Sequence, residues 1–109
     1  MKPIRAGKFK HRISILKEDR VRKPGGEYET DWVEHLKSRA RVVPLSGSER
    51  YEAQQVQSTM SHRVEMRYRP GIKPQMRVEY DGRILKIEAV LNLEEADREL
   101  HLMTSEVVT

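Results

Sequence analysis

Four histidines, a knot of carboxylates and a set of arginines are the residues here whose types could carry chemistry. His11, His35, His62 and His101 stand far apart, and none has another histidine at zinc-ligand spacing. His62 shares a strand face with Val64 and Met66, which places it at a strand end or a rim. Glu94, Glu95 and Asp97 fall in a connection and lack the EF-hand pattern, so they read as a solvated loop. Ser46-Gly47-Ser48 offers hydroxyls with no base beside them in sequence. P-loop, nucleophile-elbow and dinucleotide fingerprints are all missing. The expectation is a protein that is not an enzyme, with no catalytic residues, no cofactor and no metal.

Arg63, Arg67 and Arg69 share one strand face, and Arg77 and Arg83 could line up beside them. A basic stripe on a barrel is the electrostatic footprint of nucleic acid binding. Glu65, Glu79 and Glu88 interrupt this one, however, and mixed signs on neighbouring strands point to cross-strand pairs. Tyr68 and Tyr80 sit on the apolar sides of their strands, so no stacking platform accompanies the arginines. A small nucleic-acid-binding barrel of the oligonucleotide-binding type is the alternative function on these residues.

The elements that must position these groups are strands. The 109 residues suit a single domain spanning 1–109, with 37% hydrophobic and 35% charged residues. So lean an apolar share fits either long solvated loops or a subunit completed by its neighbours. There is no cysteine and no apolar run near the ~18 residues of a membrane span. Met1-Lys2-Pro3-Ile4-Arg5 has no apolar stretch behind it, so a soluble intracellular product without a membrane partner is expected. Charge is uneven: residues 1–44 hold twelve Lys and Arg against six Asp and Glu, and residues 45–109 hold nine against eleven. Lys2, Arg5, Lys8, Lys10 and Arg12 form a basic arm with no acidic residue among them.

Period-two alternation marks half-buried strands. His11 to Lys17 sets Ile13 and Ile15 against Ser14 and Leu16. Glu18 to Glu27, with Pro24-Gly25-Gly26, reads as a long flexible loop. Glu27 to Leu36 alternates through Tyr28, Thr30 and Trp32, with acidic residues between them on the wet face. Ser38 to Val43 is a further short strand, stopped by Pro44. Ser46-Gly47-Ser48-Glu49 fits a capping box and predicts a short helix from about Gly47 to Gln57. Its apolar stripe is only Tyr51, Ala53 and Val56, too thin to anchor it on a core. Ser61 to Arg69 puts His62, Val64, Met66 and Tyr68 inward and Arg63, Glu65, Arg67 and Arg69 outward. Asp81-Gly82 predicts a type I′ hairpin turn. Leu85, Ile87, Ala89 and Leu91 are expected to point inward, Asn92 to Arg98 to connect, and Glu99 to Val107 to close the sheet. Together these predict an all-β fold: a small antiparallel barrel of about six or seven strands, with one short helix or long loop in the middle and extended loops.

A set of fragments resembles, in order, the head-tail joining or head-closure family of long-tailed bacteriophages. Arg5-Ala6-Gly7-Lys8 and His11-Arg12-Ile13 resemble its opening strand, and Gly25-Gly26-Glu27-Tyr28 with Trp32-Val33 its loop and second strand. Pro44-Leu45-Ser46-Gly47 resembles its central break, followed by Tyr51 to Gln57 around Ala53-Gln54-Gln55. His62-Arg63-Val64, Arg69-Pro70-Gly71-Ile72, Met76-Arg77-Val78 and Tyr80-Asp81-Gly82-Arg83 complete the series. The resemblance implies a virion protein made in the bacterial host cytoplasm. It implies a ring of copies, generally twelve, under the portal or adaptor ring, which closes the DNA-filled head. Tail terminator or tail tube would dock below it, and packaged DNA would pass through its channel. A tail-terminator ring is a related alternative. The resemblance makes Leu45 to Met60 the candidate channel or gating loop, through Ser46, Gly47, Ser48, Glu49, Tyr51, Ala53, Gln54, Gln55 and Gln57. The loop residues Arg20, Arg22, Lys23, Gly25 and Gly26, with Lys8 and Lys10 of the basic arm, are the candidate docking residues.

Overall fold

The computed structural model describes residues 6–45 and 60–107. A 3₁₀ turn, Ala6–Lys8, leads into six strands: β1 (His11–Arg22), β2 (Tyr28–Pro44), β3 (His62–Arg67), β4 (Arg77–Tyr80), β5 (Arg83–Asn92) and β6 (Glu99–Glu106). They close an antiparallel barrel in the order β1-β2-β3-β6-β5-β4, with β4 returning to pair with β1. Closure leaves no edge strand within the barrel wall. The inward positions supply the core: Ile13, Ile15, Ala40, Val64, Met66, Ile72, Val78, Leu85, Ile87, Leu100 and Leu102. Leu36, Val42, Tyr68, Met76, Tyr80 and Val90 pack around it. The buried Thr104 hydroxyl donates to the His62 carbonyl at 3.0 Å, so its polar group has a partner.

Local chemistry matches the elements where turns are tight. Asp81 and Gly82 both have positive φ, 50° and 75°, and join β4 to β5 with Tyr80 directly opposite Arg83. That is the geometry Asp-Gly adopts at low cost. Pro44 ends β2, as its missing N–H requires.

Two β-bulges move side chains away from the expected faces. Ile15 pairs with Leu36 but Leu16 pairs with Glu34, so His35 is an extra residue in β2. A bulge adds one residue and reverses the inside-outside parity beyond it. Trp32, Thr30 and Tyr28 therefore lie on the outer side, and Tyr28 is 65% exposed. Gly71 backs onto this bulge: its φ is +86°, and a Cβ there would lie 3.3 Å from His35 Nε2. The second bulge falls at Glu88, between the pairs Ile87–Thr104 and Ala89–Met103. It turns Val90 toward the core in place of Ala89 and Leu91, and Leu91 is left exposed.

Three other expectations are corrected. The segment Glu18 to Glu27 is not a long loop: β1 runs on to Arg22, and only residues 23–27 turn. Tyr28 to Pro44 is one 17-residue strand, not two short ones. The backbone hydrogen-bond ladder between β1 and β2 keeps both strands extended even with both faces wet, and hydrophobic alternation cannot reveal that. Glu65, expected on the solvated face, is 4% exposed. The expected helix at Gly47 to Gln57 lies outside the described residues.

Candidate functional site

The strand pairings give the barrel two structurally distinct poles. At one, the Leu45 N–H donates to the Ser61 carbonyl at 2.9 Å, and the Ser61 N–H donates to the Thr104 carbonyl at 2.8 Å. Leu45 and Met60, the described residues flanking the candidate gating segment, are both buried there. The Asp81-Gly82 turn lies at the same pole, and so does the end of β6, where the Val107 N–H donates to the Ile84 carbonyl. A polar cluster supports it. The Ser61 hydroxyl lies 2.8 Å from His62 Nδ1, His62 Nε2 is 3.1 Å from Arg83 Nη2, and Arg83 Nη2 donates to Glu106 at 2.6 Å. The hydrogen bond from Arg83 holds the Glu106 carboxyl below its ordinary range, and the same bond raises Arg83.

At the opposite pole β1 and β2 leave the barrel as a two-stranded ribbon. β1 pairs with β4 only through Ser14–Leu16, and β2 pairs with β3 only through Ala40–Pro44. The pairs from Lys17–Val33 to Arg22–Tyr28 therefore have no third strand beside them. Six residue pairs at ~3.3 Å per residue carry the tip about 20 Å outward. At the tip the Lys23 N–H donates to the Glu27 carbonyl, and Gly25 and Gly26 adopt φ of 104° and 91°. The ribbon has two unlike faces. One carries Glu18, Arg20 and Arg22 with Trp32, Thr30 and Tyr28; the Arg77 guanidinium stacks on Trp32 at 4.1 Å. The other carries Lys17, Asp19 and Val21 with Val33, Asp31 and Glu29, and Lys23 pairs with Glu29 at 2.9 Å.

An ion-pair network covers the outer wall between the poles. Glu65 accepts from Arg63 at 2.8 Å and from Arg41 at 3.3 Å. Lys8 reaches Glu99 at 2.7 Å and Glu65 at 3.9 Å, and His101 Nε2 lies 2.8 Å from Glu99. The N-terminal 3₁₀ turn is thereby pinned onto the barrel, with Phe9 buried beside it. Burial is the largest single influence on Glu65 and pushes its pKa up. The Arg63 hydrogen bond, the His101 charge and Arg41 together outweigh it, so Glu65 lies below its ordinary value. Glu99 follows the same pattern: burial raises it, while Lys8 and His101 bring it lower overall. Glu65, Glu99 and His101 present ligand atoms within 4.8 Å of one another. Lys8, Arg63 and Arg41 already supply positive charge to these carboxylates, so the cluster reads as a structural network rather than a metal centre.

A carboxyl lowered by folding adds stability above its unfolded pKa, and that increment is lost as pH falls through the folded value. Wild-type stability should therefore fall on acidification below the ordinary carboxylate value of 4.5. Glu65→Gln should cost about 1–2 kcal/mol at neutral pH, the range for losing charge-assisted hydrogen bonds at a wall still open to water. It should also flatten the acid limb of the melting temperature between pH 7 and 3. Parallel pH profiles for variant and wild type would remove Glu65 from the stability account.

The candidate residues separate in space. Arg20 and Arg22 are exposed on β1, and Lys23, Gly25 and Gly26 form the ribbon tip beside them. Lys8 and Lys10 precede β1; Lys10 is exposed, whereas Lys8 is engaged with Glu99 on the outer wall. Ser46, Gly47, Ser48, Glu49, Tyr51, Ala53, Gln54, Gln55 and Gln57 lie outside the described residues. The arginine stripe does not assemble: β6 and β5 separate Arg63 on β3 from Arg77 on β4. Sequence reasoning overlooked the burial of Glu65 and the closeness of Lys8, Glu99 and His101. The available signal was the basic residue on either side of Glu65, at Arg63 and Arg67.

Comparison with known proteins gives a consistent set of likenesses. The family model for phage head completion proteins matches residues 4–107. Head completion protein gp16 of Bacillus phage SPP1 is 37% identical over 54 residues, half of this chain and half of that protein. The chain thus spans about half the length of the curated relative it matches. Among solved structures, protein SF1141 from Shigella flexneri 2a has a TM-score of 0.79 at 24% identity, covering 94% of this chain and 96% of that one. A chain from the virion of a native gene transfer agent particle has a TM-score of 0.59 at 18% identity, covering 90% and 94%. At these identities the two structures speak for the fold alone.

Proposed function

The chain belongs to the phage head completion protein family and is a structural component of the virion, and from that premise we propose that its copies form a ring beneath the portal or adaptor ring. The ring follows portal symmetry, generally twelvefold, closes the DNA-filled head and presents a docking surface to the tail terminator or tail tube. Packaged DNA passes through its bore. The segment from Leu45 to Met60 borders that bore, and the β1–β2 ribbon engages a neighbouring ring.

The observation that carries this reading is the two-pole layout. A connector subunit needs a fixed wall, an element toward the channel and an element toward the next ring. Here Leu45 and Met60 mark one pole of a closed barrel, and the exposed ribbon projects from the other. Ribbon residues 17–31 are all exposed in the monomer, so they add nothing to its core. A two-stranded hairpin alone is marginally stable at best, and its two unpaired edges are templates for a partner.

The test is a set of heads assembled without this chain. They should fill with DNA, fail to retain it and fail to accept tails; adding back the purified protein should restore both. Heads that stay sealed and join tails without it would overturn the proposal.

A further inference from the structure

The outer face of β1 and β2 gathers positive charge on neighbouring positions of one ladder. Arg12 lies directly opposite Arg39 in the ladder, and Ser14 lies opposite Lys37. Like charges directly opposite one another destabilise a strand pair. Both arginines are exposed, and among the described residues neither has an acidic partner. Lys37 reaches only Glu34, at 3.8 Å, with both side chains largely in solvent. These three cations form one wall of an open groove of about 520 Å³, and Glu79, Asp81 and Gly82 of the β4–β5 hairpin form its lip.

The strand order sets the opposite charge on the far flank. In the sequence β1-β2-β3-β6-β5-β4, the β5–β6 pair stands across the barrel from the β1–β2 pair. The connection between β5 and β6 carries Glu94, Glu95 and Asp97, all with positive φ. It is held in shape: the Asn92 side-chain amide donates to Asp97 at 2.7 Å and accepts from the Asp97 N–H at 3.1 Å. Glu94 and Glu95 are exposed and have no cationic partner among the described residues.

We propose that the groove lined by Arg12, Lys37 and Arg39 in one copy receives the Glu94–Glu95–Asp97 loop of the next copy. This rests on the ring reading above and supplies its subunit contact. Surfaces on opposite flanks make a head-to-tail contact, which generates a ring when the rotation closes. One feature favours this occupant over a nucleic acid strand: the acidic lip of Glu79 and Asp81 opposes a continuous run of phosphates more than a short loop of three carboxylates that can seat on the three cations alone. The groove lies toward the Asp81–Gly82 pole and the loop toward the ribbon pole, so the contact runs diagonally across each barrel. The barrel axes are therefore inclined within the ring.

The absence of cysteine from the chain makes the test direct. Arg39→Cys, Glu95→Cys and the double variant are built into completed particles and treated with a short bifunctional thiol reagent. The double variant should give a ladder of covalent multimers, mixed single variants only dimers, and each single variant alone only monomers. Arg39→Glu should lower incorporation into particles, and adding Glu95→Arg to the same chain should restore it. A single variant that links to itself would overturn the head-to-tail contact. A double variant that stays monomeric would do so too, where a lysine-reactive cross-linker still joins neighbouring copies. If that reagent also yields monomers alone, the ring reading falls as well.

Discussion

Removing the ribbon should leave a folded barrel that no longer completes phage particles. Replacing residues 19–31 with Asn-Gly joins Glu18 directly to Trp32, which already face each other in register. Asn-Gly closes a two-residue hairpin with the twist the strands need. The deletion removes no core residue, because the buried set begins at Ile13 and Ile15 and resumes at Ala40. It also keeps the Arg77–Trp32 stack. The melting temperature should therefore shift by only a few degrees, as for a change of ~1 kcal/mol or less in a domain of this size. Assembly should respond quite differently, since Tyr28 and Val21, the large apolar side chains left exposed on the ribbon, go with it. An aromatic anchor such as Tyr28 typically carries about 2 kcal/mol or more in an interface. Tail joining in complementation should fall to background. Tail joining at the wild-type level by the shortened chain would remove the ribbon from the docking account.

Deleting Gly47 to Ser58 should have an equally large effect on a different step. Leu45 and Ser61 are hydrogen-bonded neighbours, so Ser46, Thr59 and Met60 suffice to bridge them as a short hairpin loop. Loop-closure entropy grows with length, so the shortened chain should be as stable as wild type or slightly more so. Particles carrying it should assemble and then leak DNA. The deleted stretch holds Gln54, Gln55 and Gln57 with Ser48 and Ser58. Such side chains can border a DNA passage without the strong phosphate contacts that a Lys or Arg lining would make. Measuring nuclease-accessible DNA in purified particles decides the matter, and DNA retained at the wild-type level would count against the gating role. The two deletions should fail differently, one at docking and one at retention, which makes the two-pole layout separable by experiment.

Much of the barrel was legible from local signals. Ile13 and Ile15, Val64 and Met66, and Leu100 and Leu102 alternate as their burial requires, and Asp81-Gly82 names its own turn. What escaped depends on pairing partners that a single strand does not display. The bulge at His35 has no composition cue, yet it puts Trp32 and Tyr28 on the outer side and shapes the exit of the ribbon. The bulge at Glu88 exchanges Leu91 for Val90 in the same silent way. The ribbon reads as a loop in sequence because residues 17–31 are wet on both faces, and hydrophobic periodicity reads only one-sided burial. The site divides likewise. Arg20, Arg22, Lys23, Gly25 and Gly26 read in sequence as one charged loop suited to docking, but their extended geometry does not show there. Glu65, Glu99, His101 and Lys8 converge from three separate stretches of chain: the register of β3 against β6 joins the first three, and the turn before β1 lays Lys8 over them.

The central claim is that many copies of this barrel encircle the DNA exit of the head, with the ribbon directed toward the adjoining ring. A cryo-EM reconstruction of the portal vertex from completed particles tests it most directly. The account predicts a closed ring of six-stranded barrels coaxial with the portal, Leu45 and Met60 nearest the bore, and the β1–β2 ribbons embedded in the next ring. Barrels found singly, away from the vertex, or with their ribbons free in solvent would contradict it.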